Sequence, residues 1–520
     1  MASLLNDRLL PFYLVLGAVV AGALAFRLPH LGRRPMHHDE ANQAVRCRKL
    51  LEQGPYQYNP RQHHGPTLYY FSLIPAWLQA GPDFVQTSEF TFRIVPVVFG
   101  VAILALLPLV SDGLGRKATA MAGVLTAVSP AMVYYSRFYI QEMLLVFFTF
   151  AAIAAGWRYI RTRRSGWALA IGFSLAFMHA TKETCIIAAG ALVVSLAICA
   201  GFYRKKASHV LSDACWWHLG LAVGGGLVVW STLYSSFFTH PTGLIDSILT
   251  YAYYLTRAGG EGLHEHPPYF YLKRLIWFHK QLGPIWSEGF ILLLSLAGIW
   301  ASASRRSGVS GPLPQFLSLY AVLMVAFYSF IPYKTPWSFL SALHALLLLA
   351  GLGAAGLWNF VKPWWGRTAL ALVLLMGTFH LGWQAHRATS RRYCASPKNP
   401  YAYAQTQNTF MNLVERIREL ATVHSEGRDM FVKVVAAPQN TWPLPWYLRD
   451  FSQVGYWTKP GAPPRKPRAD VIVTDKDLWK PVKDRLEGEF QMQYFGLRPG
   501  EFSILLVRKP LWKTFMDTRR

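Results

Sequence analysis

Up to about residue 386 the chain alternates long apolar runs with short polar loops. Each run can cross a hydrocarbon core of about 30 Å as a helix. The pattern predicts membrane helices at about 9–28, 90–110, 118–136, 139–157, 167–181, 184–203, 219–238, 284–302, 314–332, 337–360 and 368–386. Beyond Arg387 the periodicity becomes that of a soluble α/β region. A helix is predicted at 405–423, strands at 430–436 and 470–474, and a hairpin within 489–508. Between them lie a turn-rich stretch, Trp442-Pro443-Leu444-Pro445-Trp446-Tyr447, and a basic, proline-rich loop at 459–468. The expected architecture is mainly α: a polytopic membrane module of about 11 transmembrane helices over 1–386, followed by an α/β domain over 387–520.

Charge orients this scheme. Lysine and arginine number 52 against 27 acids. The excess is concentrated in alternate short loops: Arg116-Lys117, Arg158 to Arg164, Arg204-Lys205-Lys206, Arg305-Arg306, and Lys362 with Arg367. Short basic loops belong on the cytoplasmic side. The N-terminus is then cytoplasmic, the C-terminal domain extracytoplasmic, and the protein a multi-pass component of the cell (plasma or inner) membrane. The first apolar run is long and followed by others, so it reads as an uncleaved helix rather than a signal peptide. The basic excess comes with no nucleic-acid motif, and a nucleic-acid partner is not expected. Five cysteines without a CxxC pair give neither a zinc site nor a disulfide framework. There is no glycine-rich nucleotide loop and no internal repeat, which argues against a nucleotide-driven pump and a secondary transporter.

On this topology the first loop (29–89), Arg137, Lys182-Glu183, the 239–283 loop and Tyr333-Lys334-Thr335-Pro336-Trp337 share the outer side. The first loop is itself basic, and phosphate binding would account for that. It contains two predicted helices, Ala41 to Leu51 and Pro66 to Gln79, expected along the bilayer interface. Just before the first of them stands His37-His38-Asp39-Glu40, and before the second His63-His64-Gly65-Pro66. Carboxylates at a membrane boundary are costly unless they face water, a partner or a substrate. Asp39 and Glu40 therefore read either as helix-terminal acids or as a catalytic pair in which one carboxylate takes a hydroxyl proton. The imidazoles read either as loop residues or, with His264 and His266 of the later loop, as ligands for a divalent metal (His38, His64, His264, His266). Arg137 and Glu142 flank a nearly loop-free junction. They are either a structural pair or an anion-facing arginine steadied by the acid. Lys182 and Lys334 are further cations at the same rim.

Several stretches together resemble the GT-C membrane glycosyltransferases, such as the protein O-mannosyltransferases and the lipid A aminoarabinose transferases. They are His38-Asp39-Glu40, Ser136-Arg137-Phe138, Lys182-Glu183-Thr184, Pro332-Tyr333-Lys334-Thr335-Pro336-Trp337, and Trp442-Pro443-Leu444-Pro445-Trp446-Tyr447-Leu448-Arg449. The same motifs are similar still more closely to the flippase-activity-associated family linked to archaeal N-glycosylation, which has bacterial members. The resemblance implies a polyprenyl-phosphate-linked sugar as donor and an acceptor glycan, lipid or protein on the outer face, with Asp39 as catalytic base and Glu40 beside it. Arg137, Lys182 and Lys334 would hold the donor phosphate. Acceptor or sugar contacts are expected from His38, His63, His64, Glu142, Trp337, Trp442, Trp446 and Tyr447, the last three rings reading alternatively as packing. One departure stands out: His64-Gly65-Pro66 occupies the place of the mannosyltransferases' His-Pro-Pro. The alternative is a lipid-linked sugar flippase, or a non-enzymatic accessory subunit of one.

Overall fold

A helix stands at each predicted span in the computed structural model, which describes residues 10–62, 64–204, 215–258, 264–459 and 469–519. Lys205, Lys206, His63 and nearly all of the 459–468 loop lie outside the described residues. Seven of the described helices are long and apolar enough to cross a membrane, eight if one bent pair counts as a single span. Shorter apolar helices stand at Ser165–His179 and Gly289–Ala303.

The chain divides into two units, the first comprising Met1–Leu31, Gly54–Pro75 and Arg93–Ser390. This unit is helical. Leu340–Phe360 has buried residues on every face, as a helix apolar all round must. Gly289–Ala303 crosses it at small residues. A Cβ on Gly298 would overlap the Leu349 carbonyl, and one on Gly353 the Leu294 carbonyl, so only glycine lets the backbones approach this closely. Trp364–Thr389, by contrast, leaves Leu375, Met376 and Phe379 exposed, as on a lipid-facing helix.

The predicted span 118–136 is broken. Arg116–Val128 and Pro130–Ser136 meet at 59°. Pro130 supplies no N–H to continue the first helix and starts the second, with the Ser129 hydroxyl accepting from the Met132 amide as its cap. The buried Glu288 carboxylate accepts from the Ser129 hydroxyl at 2.5 Å and from the Ala131 amide at 3.2 Å, satisfying groups the break would orphan.

The second unit gathers Gly32–Gln53, Ala76–Phe92 and Arg391–Arg520. Its sheet is built from β1 (Val432–Val435), β2 (Val454–Trp457), β3 (Val471–Asp475), β4 (Phe490–Arg498) and β5 (Glu501–Arg508), in the order β2-β1-β3-β5-β4. β1 pairs in parallel with β2 and β3, while β5 runs antiparallel to β3 and β4. β3 is buried at all five positions and reads Val-Ile-Val-Thr-Asp, the continuous apolar run expected of a covered central strand. Phe410–Val423 turns Leu413, Val414, Ile417 and Leu420 inward at helical spacing. The two first-loop segments add the helix His38–Gln53 and the start of Glu89–Leu106.

Candidate active site

The acidic pair opens the helix His38–Gln53, and its two members have different surroundings. Glu40 is fully buried. Its carboxylate accepts the His37 amide at 3.0 Å and the Arg34 guanidinium at 3.0 Å. His37 Nδ1 in turn accepts the Asp39 amide at 3.0 Å. This is a reciprocal N-terminal cap with histidine in the place usually taken by serine or threonine. Burial pushes the His37 imidazole down to about 4 despite the opposing field of Asp39, so the ring is neutral near pH 7 and free to act as an acceptor. The Asp39 side chain is 40% exposed. Of the two carboxylates, Asp39 is the exposed one.

The surroundings of Asp39 come from distant parts of the chain. His38 Nδ1 lies 3.3 Å from the Gln439 carbonyl, and its ring meets Trp442 edge-on at 6.0 Å. Arg498, at the end of β4, donates to the same carbonyl at 3.0 Å and to Asn440 Oδ1. The Arg498 and Asp39 charges act on each other: burial lowers the guanidinium's pKa, while Glu501 and Asp39 pull it back up. Burial also lowers the His38 pKa. The ground beneath Asp39 is fixed by the Met36 amide donating to Tyr447 Oη at 2.8 Å and Gln405 Nε2 donating to the Pro35 carbonyl at 2.9 Å. Sequence reasoning missed Arg34, Gln405 and Arg498.

The aromatic stretch splits in the same way. Trp446 is fully buried, with Phe84 and Phe92 edge-on at 5.6 and 5.5 Å and the Arg449 guanidinium 3.8 Å from its ring centre. Its Nε1–H donates to Glu89 at 3.2 Å. Tyr447 is buried beneath Met36. Both rings are covered and serve as packing, so of the three only Trp442 keeps a partly accessible face.

In the first unit the expected phosphate-binding cations already hold protein acceptors. Arg137, at the end of Pro130–Ser136, donates to the carbonyls of Arg27 at 2.8 Å, His30 at 3.2 Å and Phe26 at 3.4 Å. It therefore caps the C-terminus of Leu10–Arg27, where a cation is favoured. Glu142 pairs with Lys182, both buried. Lys334 Nζ donates to the carbonyls of His266, at 3.0 Å, and Ile331. Trp337 is buried, stacked on Phe138 at 5.6 Å. His64 Nδ1 lies 2.8 Å from both Glu183 Oε2 and Tyr254 Oη. Burial would raise the Glu183 pKa, but His64 keeps it below the ordinary carboxylate range. Gly65 is pressed against the Ala180 carbonyl, which a Cβ would overlap. That accounts for a glycine where the mannosyltransferases carry the first proline.

The four histidines considered as metal ligands each have another partner. His38 is in the second unit and His64 is engaged by Glu183 and Tyr254. His264 packs on Tyr333 at 5.2 Å and His266 on Phe270 at 4.1 Å. Among the described residues no three His, Cys, Asp or Glu side chains form a group that could hold a metal ion.

Known proteins match this chain at the level of fold. Residues 73–241 match the family model of the dolichyl-phosphate-mannose-protein mannosyltransferases. ArnT from Cupriavidus metallidurans, bound to undecaprenyl phosphate, superposes with a TM-score of 0.61 at 15% identity, over 96% of this chain and 98% of that one. AglB, the oligosaccharyltransferase from Archaeoglobus fulgidus in complex with an inhibitory peptide and a dolichol-phosphate, gives 0.58 at 12% identity, over 94% and 74%. No curated relative matches the sequence. The chain has the GT-C glycosyltransferase fold and is a multi-pass membrane protein, as its motifs led one to expect.

Proposed function

We propose that this protein transfers a sugar from a polyprenyl-phosphate donor to an acceptor hydroxyl on the outer face of the cell membrane, with Asp39 as the base. The observation that carries the reading is the contrast within the acidic pair: Glu40 is locked in the cap and Asp39 is open. The full-length fold likeness to a lipid-phosphate-bound glycosyltransferase supports the donor class. In this mechanism Asp39 removes the acceptor proton and the oxygen attacks the anomeric carbon. The C–O bond to the phosphate breaks, and the electron pair leaves with the lipid phosphate. A phosphate leaving group needs little acid assistance, so one carboxylate acting as the base suffices.

Lys182 and Lys334 are the cations we assign to the donor phosphate. An ammonium has three donors, and those left after Glu142 and the two carbonyls are suited to phosphate oxygens. Arg137 acts at one remove, by fixing the end of Leu10–Arg27. His38 and Trp442 are the acceptor-side contacts of the second unit.

The test is transfer from a labelled polyprenyl-phosphate sugar in proteoliposomes. Asp39→Asn should lower the rate by roughly 10²–10⁴-fold. An unimpaired Asn variant would remove Asp39 from the chemistry. Sugar-lipid crossing the bilayer with no transfer would favour the flippase instead.

A further inference from the structure

The chain between Trp216–Tyr234 and Gly289–Ala303 holds a helix, Gly243–Ala258, in what the sequence offered as a loop. Its amphipathic pattern is inside out. The inward face is polar: Trp230 Nε1 donates to Ser247 Oγ at 2.9 Å, and Thr250 Oγ1 donates to the Pro60 carbonyl at 3.4 Å. Tyr251 Oη meets His179 Nδ1 at 2.7 Å, and Tyr254 Oη meets His64 Nδ1 at 2.8 Å. The outward face carries Ile245, Ile248 and Leu249, which are 65%, 61% and 45% exposed. That i, i+3, i+4 spacing forms one stripe. In water such a helix turns the other way, because burying the stripe is the main gain in folding it.

The turn leading into the helix points the same way. Ser236, Phe237 and Phe238 take φ of 51°, 55° and 68°, a left-handed region that bulky residues rarely occupy. The turn is held by the Phe238 amide donating to Ser235 Oγ at 2.9 Å and the His240 amide donating to the Ser235 carbonyl at 2.8 Å. The result sets both phenyl rings outward, 60% and 69% exposed. The adjoining helix Trp216–Tyr234 exposes Val223, Leu227 and Val228, so the apolar surface of the segment continues that of a membrane-module helix.

We propose that Gly243–Ala258, with the Phe237-Phe238 turn, is an interfacial anchor whose apolar stripe lies among the lipid acyl chains of one leaflet. Such helices sit about 5–10 Å into the headgroup–acyl boundary. Arg61, whose guanidinium lies 5.1 Å from the Tyr253 ring centre, gives the polar edge the cation–aromatic character of a membrane interface. Through Tyr254 the anchor holds His64, so bilayer contact and the placement of that imidazole are one arrangement.

The test is depth-dependent quenching on the full chain in liposomes. A fluorophore is attached through Ile248→Cys in a Cys215→Ser background, the other four cysteines being buried. Leu249→Cys serves as a second site on the stripe and Lys483→Cys, exposed in the second unit, as the reference. Lipids brominated high on the acyl chain should quench the labels at 248 and 249 at least several-fold more than the one at 483, with aqueous iodide showing the reverse order. Iodide quenching at 248 and 249 equal to that at 483 would overturn the proposal. So would labels that neither quencher reaches, since a protein surface would then be covering the stripe.

Discussion

Arg34 and Glu40 form a buried ion pair, Nη2 to Oε1 at 3.0 Å, beside the partly exposed carboxylate of Asp39, which lies 3.6 Å from His37 Nδ1. The pair makes the two neighbouring acids separable by experiment. Glu40→Gln removes the charge that Arg34 needs, and breaking a buried pair by one partner costs about 3–5 kcal/mol. The thermal transition of the second unit should fall by several degrees. Asp39→Asn should leave it in place while transfer collapses. Equal loss of stability in both variants would make Asp39 structural.

Lys182 and Glu142 permit a similar separation. Lys182→Met or Glu142→Leu alone should destabilise the first unit by about 3–5 kcal/mol, because each leaves a buried charge uncompensated. The double variant Lys182→Met/Glu142→Leu should recover most of that loss, read as a coupling in a double-mutant cycle. Transfer should stay lost in the stable double variant if Lys182 holds the donor phosphate. Normal transfer there would remove Lys182 from the donor site.

Trp446→Ala should destabilise the second unit by about 3–5 kcal/mol, as deletion of a large buried ring does. It would also strip the cover from Phe84 and Phe92. Trp442→Ala should leave the thermal transition nearly unchanged and raise the KM for the acceptor. A KM unaffected by Trp442→Ala would make that ring packing as well.

His37 predicts an acid-sensitive second unit. Its imidazole titrates near 6.5 when unfolded and about 4 when folded, because burial disfavours the charged ring. Above about 6.5 neither state binds the proton and stability is flat. As pH falls from there towards 4 the unfolded state takes the proton first, so stability drops by up to roughly 3 kcal/mol. His37→Asn keeps a side-chain acceptor at the cap and removes the titration. Its unfolding free energy should be flatter across that window, as measured by denaturant titration at a series of pH values.

The membrane helices were legible because long apolar runs between basic loops leave few alternatives. The break at Ser129-Pro130 was also written in the sequence, but the apolar run continuing through it masked the signal. β2 was missed: its four residues include Gly455, none is buried, and it lies at the sheet edge, so no alternation marks it. Asp39 was legible as a charged residue in an unusual place. The function of Glu40 as a cap, and of Arg137 as a cap for Leu10–Arg27, depends on partners that no local pattern announces. Arg498 reaches the neighbourhood of Asp39 only through the pairing of β4 with β5. The union of Gly32–Gln53 with Arg391–Arg520 is likewise a tertiary fact, spelled in side-chain hydrogen bonds.

That union has a temporal side. The Met36 amide and the Tyr447 hydroxyl that supports it are 411 residues apart. At about 5–20 residues per second the ribosome needs roughly 20–80 s to supply the second after making the first. Throughout that interval the acidic helix is tethered in the nascent chain without its floor. A chain released early would carry Asp39 yet lack the carbonyl, the ring and the guanidinium that later surround it. Completion of synthesis thus acts as the licence for this part of the molecule, and truncated products are made without it.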